Sequence, residues 1–277
     1  MPIQMNQLFD NIPKLPQIPE VVRTIINQLN DPRAEMLDIA KNVEKEQVIS
    51  LKILRLVNSA HFGLSRKISS IDEATVMLGM NQLKTLVIAS GIVSSMPKIE
   101  NFDIRKFWSN CFRTAVYAKW LAERIGNSGE IAYTAGLIGN LGNLLIHIGL
   151  PSEANEIDQH TRAGRSSRAN FERTCLGFTN QDVCAELCRR WKFGNELVEA
   201  IQHSGEPLTF EQPSPIACCL HLAQFISDAV EKGTSEEDIL AALPLPVAEK
   251  IGLSATFFNA HLAEITALQS KLEGLAD

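Results

Sequence analysis

Residues 130–151 read EIAYTAGLIGNLGNLLIHIGLP, and this stretch decides the fold. Apolar side chains lie on nearly all sides of the single helix that it predicts, which is typical of a helix at the centre of a protein. Glycine recurs every third residue, at Gly136, Gly139 and Gly142. Because each interior glycine costs a helix about 1 kcal/mol relative to alanine, we expect another segment to pack closely against this one.

The flanking sequence predicts further helices and no convincing strand, so the predicted fold class is all-α. We expect an irregular N-terminal arm up to about Pro19, because prolines recur throughout it. A helix over residues 47–58 should bury a stripe that includes Leu51. Asp103 and Thr179 are expected to cap two of the later helices, and Ser70 with Glu73 has the spacing of a capping box.

Composition excludes several classes of protein. The 277-residue chain is 45% hydrophobic and 21% charged, an ordinary balance for a soluble domain. A net charge of -6 argues against a general binder of nucleic acid or of anionic membranes. The N-terminus lacks the pattern of a signal peptide, and no uninterrupted apolar run reaches the roughly 20 residues that span a membrane. We therefore expect a cytoplasmic protein without membrane contact.

The six cysteines are predicted to be reduced thiols, and Cys184 and Cys188 are predicted to pack in the core. Cys184 and Cys188 lie one helical turn apart, a spacing that two zinc ligands could use, but no second pair accompanies them. Cys111 could be imagined as a nucleophile, yet its aromatic-rich surroundings favour burial.

Residues 136–144 resemble the central motif of the HD superfamily of phosphohydrolases. That motif reads Gly-Leu-Leu-His-Asp-Ile-Gly-Lys-Leu, and its His-Asp pair binds metal. In this chain Gly139 stands at the position of the histidine, Asn140 at that of the aspartate and Asn143 at that of the lysine. The resemblance implies that the frame of the motif is kept while its metal ligands are lost.

Three segments of the N-terminal third are similar, in order and spacing, to the HDOD family, a bacterial signalling branch of the HD superfamily. They are Leu15–Pro19, residues 54–63 with the motif residues Asn58, Ser59, Phe62 and Gly63, and Ile68–Gly79. The resemblance covers about residues 15–207. It implies an HD-domain, phosphodiesterase-like helical fold in which an N-terminal helical lobe, residues 1–97, packs on a degenerate HD-type helical lobe, residues 98–277.

The same resemblance locates other replaced histidines. The first metal-binding histidine of HD enzymes corresponds to Asn110, and a His-His pair corresponds to Ser204 and Gly205, with His203 beside them. A histidine that opens a later helix in family members corresponds to Asn180. The implied vestigial cleft is therefore lined by Asn110, Gly139, Asn140, Asn143, Asn180, His203 and Ser204. Metal-activated hydrolysis needs charged or imidazole ligands, whereas Asn supplies a neutral oxygen and Gly supplies nothing. We expect no catalytic residue, no bound metal and no cofactor.

The leading hypothesis is a catalytically inactive HDOD-type module of bacterial signal transduction. The resemblance implies that it acts through signalling proteins of unknown identity or through a small nucleotide-like ligand in the vestigial cleft. No receiver, cyclase or phosphodiesterase segment is recognisable in the sequence, so we expect a partner to supply the input signal.

Two other functions stay open at this stage. One is a metal-dependent phosphohydrolase with rearranged ligands, for which His147, His203 and Asn140 are the surviving candidates. The other is a nucleic-acid-binding regulator that uses Arg66, Lys67 and Lys84, although phosphate binding usually needs more bases. The arginines at positions 162, 165 and 168 could form an anion-binding patch, but a solvated loop is the simpler interpretation.

Overall fold

The computed structural model describes residues 5–11, 24, 41–44, 47–58, 66–79, 83, 86–87, 102–162, 167–191 and 193–268. These residues form helices and no strand, which confirms the predicted all-α class. The helices are α1 Met5–Asn11, α2 Gln47–Val57, α3 Ile71–Leu78, α4 Ile104–Arg124, α5 Gly129–Ile138, α6 Leu141–Gly149, α7 Pro151–Arg162, α8 Arg168–Leu176, α9 Asn180–Arg190, α10 Asn195–His203, α11 Pro215–Glu231, α12 Glu236–Ala241, α13 Leu245–Lys250 and α14 Ala255–Ala267. The predicted boundary between lobes at residues 97–98 lies outside the described residues.

The central stretch is two helices, so the prediction of one continuous helix over residues 130–151 is wrong. The chain turns at Gly139 and Asn140, and Asn140 takes the N-cap position of α6. Glycine is a poor helix former, which favours a break at Gly139, and α6 begins after Asn140. Helix α5 packs against α4, α10 and α11, whereas α6 packs against α1, α7 and α9.

The glycines allow the close packing that their spacing predicted. A Cβ atom at Gly136 would lie 2.6 Å from the Cα atom of Ala115 on α4. A Cβ atom at Gly142 would lie 1.8 Å from the backbone oxygen of Asn180, at the start of α9. Real Cβ atoms do not approach other atoms so closely, so glycine is required at both positions.

Residues 129–149 taken together are long and apolar enough to cross a membrane by length and composition, and 61% of that stretch is buried inside the protein. The central helices of a folded domain meet the same criterion, because they too are apolar on most sides. The contacts of α5 and α6 with six other described helices are those of such a core.

The predicted caps are present with one change. Asp103 accepts a hydrogen bond from the backbone of Lys106, and Thr179 forms a complete capping box at the start of α9. Ser70 accepts a bond from the backbone of Glu73, but the Glu73 carboxylate accepts from Ser69 rather than from Ser70. In the predicted capping box at α3, the bond to the Glu73 carboxylate therefore comes from the residue before the N-cap.

Two expectations for the N-terminal third are wrong. The arm contains a helix, α1, because Met5, Leu8 and Phe9 form an apolar stripe that packs on α6. On α2 the buried row is Ile49, Ile53 and Val57, whereas Leu51 is 68% exposed. The sequence of α2 offers two apolar rows, and packing within the fold selects one of them. The apolar spacing in residues 22–29 and 82–95 also predicts helices, and these two ranges lie almost entirely outside the described residues.

Candidate functional site

Asn110 lies on α4 and faces α11. Its Nδ2 atom donates to Asp228 Oδ1 at 2.8 Å and to Glu231 Oε2 at 3.2 Å. Its Oδ1 atom accepts from Gln224 Nε2 at 2.9 Å. Asn110 is buried, and both the nitrogen and the oxygen of its amide form hydrogen bonds with side chains of α11.

The two carboxylates beside Asn110 have different environments. Burial raises the pKa of Asp228, although hydrogen bonds from Asn110 and Gln224 oppose the rise. Burial alone would also raise the pKa of Glu231, but hydrogen bonds from Lys106 and Asn110 and the nearby cations lower it. Lys106 and Arg113 contact Glu231 at 2.9 and 2.8 Å. The charge of Glu231 is therefore neutralised within the protein.

Arg168, at the start of α8, joins three helices. Its guanidinium donates to Glu172 Oε1 at 2.7 Å, to Asp158 Oδ1 at 2.8 Å and to Asn143 Oδ1 at 2.5 Å. These acceptors lie on α8, α7 and α6. Arg168 is thus an internal cation, and the alternatives of an anion-binding patch or a solvated loop are wrong for it. The side chain of Arg162 and all of Arg165 lie outside the described part of the chain.

Glu172 connects this arginine to a second position of the predicted cleft. It is completely buried, and its Oε2 atom accepts from the backbone nitrogen of Asn180 at 2.7 Å and from Asn180 Nδ2 at 3.0 Å. The Arg168–Glu172 ion pair therefore links Asn143 with Asn180. Sequence reasoning missed this pair, although the spacing of four residues on one helix was a usable signal.

His147 belongs to the same network. Its Nδ1 atom lies 2.8 Å from the backbone oxygen of Asn143, and its Nε2 atom lies 3.2 Å from Asp158 Oδ2. Burial would raise the pKa of Asp158, but hydrogen bonds from His147 and Arg168 outweigh burial and lower the pKa to about 2. Both nitrogens of His147 face acceptor atoms, which leaves neither free to hold a metal.

The end of α10 holds the remaining cleft residues. Ser204 donates to the backbone oxygen of Ile201, and its own backbone oxygen faces His221 Nδ1 at 2.9 Å. The His203 ring stacks on Phe210 with centroids 3.7 Å apart, and its Nδ1 atom is buried without a partner. Burial lowers the pKa of His203.

Gly139 and Asn140 form the turn between α5 and α6. A Cβ atom at Gly139 would lie 3.9 Å from Ile201 Cγ1, which places the turn beside α10. Asn140 makes no side-chain capping bond. Nearby on α9, Asn180 Oδ1 and Gln181 Oε1 are buried without partners. The cleft residues thus fall into three sets, with Asn110 held by α11, Asn143 and Asn180 joined by an ion pair, and the others around the end of α10.

The side chains at these positions do not fit a divalent cation. The Asn110 amide directs its N–H groups at two carboxylates, and the cation that meets Asn143 is the Arg168 guanidinium. Among the described residues, no group of three or more His, Cys, Asp or Glu side chains is placed to hold a metal ion.

Five of the cysteines are buried in the core, and Arg66 forms an ion pair. Cys184 is buried and donates to the backbone oxygen of Ile138, and Cys188 is buried one turn later, as core packing predicted. Burial raises the pKa of Cys111, which disfavours the thiolate that a nucleophile needs. Arg66 is paired with Glu73 at 3.0 Å. Lys84 is outside the described residues.

Asn58 fastens the segment that precedes α3 to the end of α2. Its Nδ2 atom donates to the backbone oxygens of Leu54 and Ile68 at 2.8 and 2.7 Å, and its Oδ1 atom accepts from the nitrogen of Ile68 at 2.7 Å. This is a reason for an asparagine at the motif position. The other motif residues, Ser59, Phe62 and Gly63, lie outside the part that the structure describes.

The fold and the motif positions define a helical domain of the HD-like class. The sequence profile of the HDOD domain matches residues 15–207, and the chain belongs to the HDOD domain family. A candidate phosphohydrolase of Shewanella amazonensis SB2B is 30% identical, with a TM-score of 0.78 over 98% of this chain and 95% of that one. An HDOD domain protein of unknown function from Geobacter sulfurreducens is 19% identical, with a TM-score of 0.74 over 97% of each chain.

Other relatives are longer than this chain. A candidate signal transduction protein of Marinobacter aquaeolei VT8 is 19% identical with a TM-score of 0.76, and the match covers 98% of this chain but 64% of that one. An uncharacterized protein of Treponema pallidum is 24% identical over 240 residues, which are 85% of this chain and 46% of that protein. The chain spans less than half the length of the curated relatives that it matches.

Proposed function

We propose that this protein is a regulatory module of signal transduction that acts by binding and has no hydrolytic activity of its own. The observation that carries the proposal is the hydrogen bonding of Asn110. The position that supplies the first metal ligand in HD enzymes here holds a neutral amide, and both ends of that amide are bonded to α11. A side chain in this arrangement ties two helices together and presents no ligand to a metal.

The Arg168 network supports the same function. In the described structure a guanidinium contacts Asn143 and, through Glu172, reaches Asn180. An arginine cannot activate water as a bound metal does, because it is always protonated and lacks a coordination site. The network holds α6, α7, α8 and α9 in a fixed arrangement, which suits a domain that presents a surface to signalling proteins.

The candidate signal transduction protein of Marinobacter aquaeolei VT8 has the same fold over 98% of this chain. The similarity to the candidate phosphohydrolase of Shewanella amazonensis SB2B makes hydrolysis the alternative function. A small nucleotide-like ligand could use the unpartnered acceptors Asn180 Oδ1 and Gln181 Oε1. Protein partners are the primary proposal, because the networks around Asn110 and Arg168 bind the helices to one another.

The first prediction concerns metal content and hydrolysis. Purified, untagged protein is expected to hold less than about a tenth of an equivalent of Mn, Fe, Ni or Zn by plasma mass spectrometry, because Asn and Gly replace strong ligands. It is also expected to leave phosphomonoester and cyclic dinucleotide substrates intact in the presence of added Mn²⁺. A stoichiometric metal, or metal-dependent hydrolysis that is lost on His147→Ala or His203→Ala, would overturn the proposal.

A further inference from the structure

We propose that α1 is a separable docking element, and that the surface of α6 and α9 beneath it is a binding site for an amphipathic helix of a signalling partner. In the structure this chain's own residues Met5–Asn11 occupy that surface. The inference rests on the proposed function, because a partner's helix is the competitor of α1.

The contact of α1 has the form of a helix bound in a groove. Its apolar residues Met5, Leu8 and Phe9 follow the i, i+3, i+4 spacing of anchor residues in such complexes. Leu8 is 0% and Phe9 4% exposed, whereas the intervening polar residues point to solvent. Leu8 and Phe9 are therefore buried by the contact with the domain, and Met5 is half-buried beside them.

The surface beneath α1 belongs to the helices that carry the vestigial motif. Helix α1 packs on α6, which bears Asn143 and His147. The Phe9 ring also faces the guanidinium of Arg190, at the end of α9, at 4.1 Å. A cation held over an aromatic face adds a specific contact to the apolar one. A partner's helix that competes with α1 would need two adjacent apolar residues in place of Leu8 and Phe9, and the second of them would be aromatic.

Helix α1 is built as an addition to the domain. It spans seven residues, and isolated helices of that length are unstable in water, so its helical state depends on the contact with α6. It precedes residues 15–207, which match the family profile. The sequence between α1 and the first matched residue is short and contains Pro13.

The second prediction is an exchange experiment on the full chain. A fluorescent peptide with the sequence of residues 1–14 is added to wild type and to a Leu8→Ala, Phe9→Ala variant, and binding is followed by anisotropy. In wild type the tethered α1 competes at an effective concentration of about millimolar, so micromolar peptide is excluded. In the variant the tethered copy is weakened by a factor on the order of 10 to 100 for each deleted side chain, and the peptide binds.

Asn6→Ala, an exposed change on the same helix, is the matched control and should exclude the peptide as wild type does. A peptide that itself carries Leu8→Ala and Phe9→Ala should bind neither protein. If the folded double variant takes up no more peptide than wild type, the proposal is overturned.

A measurement on unmodified protein covers the case in which the double variant fails to fold. The amides of α1 should exchange with deuterium at least about 100-fold faster than those of α4, because a separable element opens without global unfolding. Equal protection of the two helices would contradict the proposal. A metal or hydrolysis result bears on the proposed function alone, and the exchange results bear on α1 alone.

Discussion

Arg168 connects the motif position Asn143 with the helices around it. Its guanidinium contacts three acceptors on three helices, and one of them, Glu172, is 0% exposed. A buried carboxylate without a cation is costly, so the arginine is needed because Glu172 is there. The pair in turn orients Asn180, whose backbone and side chain both donate to Glu172.

The third prediction tests this pair. Arg168→Met should lower the free energy of unfolding by about 3–5 kcal/mol, because it leaves a buried charge unpaired. The matched control is Arg173→Met on the same helix, where the arginine pairs with Glu206 and its side chain is 44% exposed. An exposed pair of that kind contributes about 1 kcal/mol or less.

Urea unfolding followed by circular dichroism would measure both changes. Adding Glu172→Gln to Arg168→Met should recover part of the loss, since the unpaired charge is then removed. Equal effects of the two arginine substitutions would refute the role assigned to Arg168.

The fourth prediction concerns His203. Burial lowers its pKa from the ordinary 6.5, so the folded state binds the proton less readily than the unfolded chain. Its contribution to stability is therefore fully present above about pH 6.5 and is lost as the pH falls below that value. His203→Gln should reduce the dependence of the unfolding free energy on pH in this range.

Proton NMR titration of the His203 ring is the direct measurement, and a midpoint at or above 6.5 would contradict the assignment. His261→Gln, at a half-buried position on α14 away from the end of α10, is the control for loss of a histidine.

At the scale of elements, the fold depends on three close helix contacts. Helix α5 meets α4 at Gly136, α6 meets α9 at Gly142, and α11 meets α4 through the bonds of Asn110. The first two contacts bring backbones together without side chains between them. The third is polar and buried, so it fixes one register between α4 and α11 rather than adding apolar area.

The fifth prediction addresses the glycine contacts. Gly142→Ala should destabilise the protein by at least about 2 kcal/mol, because the new methyl group would collide with the backbone of Asn180. This loss exceeds the gain of about 1 kcal/mol that alanine brings to a helix. Gly194→Ala is the control, since nothing lies within 4 Å of that position, and it should change stability by less than about 1 kcal/mol. Thermal and urea unfolding would separate the two variants, and a neutral Gly142→Ala would contradict the contact.

At the scale of the whole molecule, the match to the family ends at residue 207, but the folded domain continues beyond it. Residues 15–207 match the HDOD domain, but α11 and α14 follow them. Helix α11 packs on α4 and supplies Gln224, Asp228 and Glu231 to the Asn110 network. On α14, Phe258 is completely buried in the common core. The structural unit therefore includes the helices beyond the match.

Sequence alone determined the helical class, the family, the capping residues and the need for close packing at Gly136 and Gly142. These properties are local, or are encoded in the order and spacing of motifs. Tertiary structure decided the break at Gly139, the burial of Ile49 and Ile53 in place of Leu51, and the side-chain partners of Asn110, Asn143 and Asn180. The physical reason is that a polar side chain's partner lies on another helix, often more than a hundred residues away, as Asp228 does from Asn110. Periodicity shows which face of a helix is apolar, but only packing shows what that face meets.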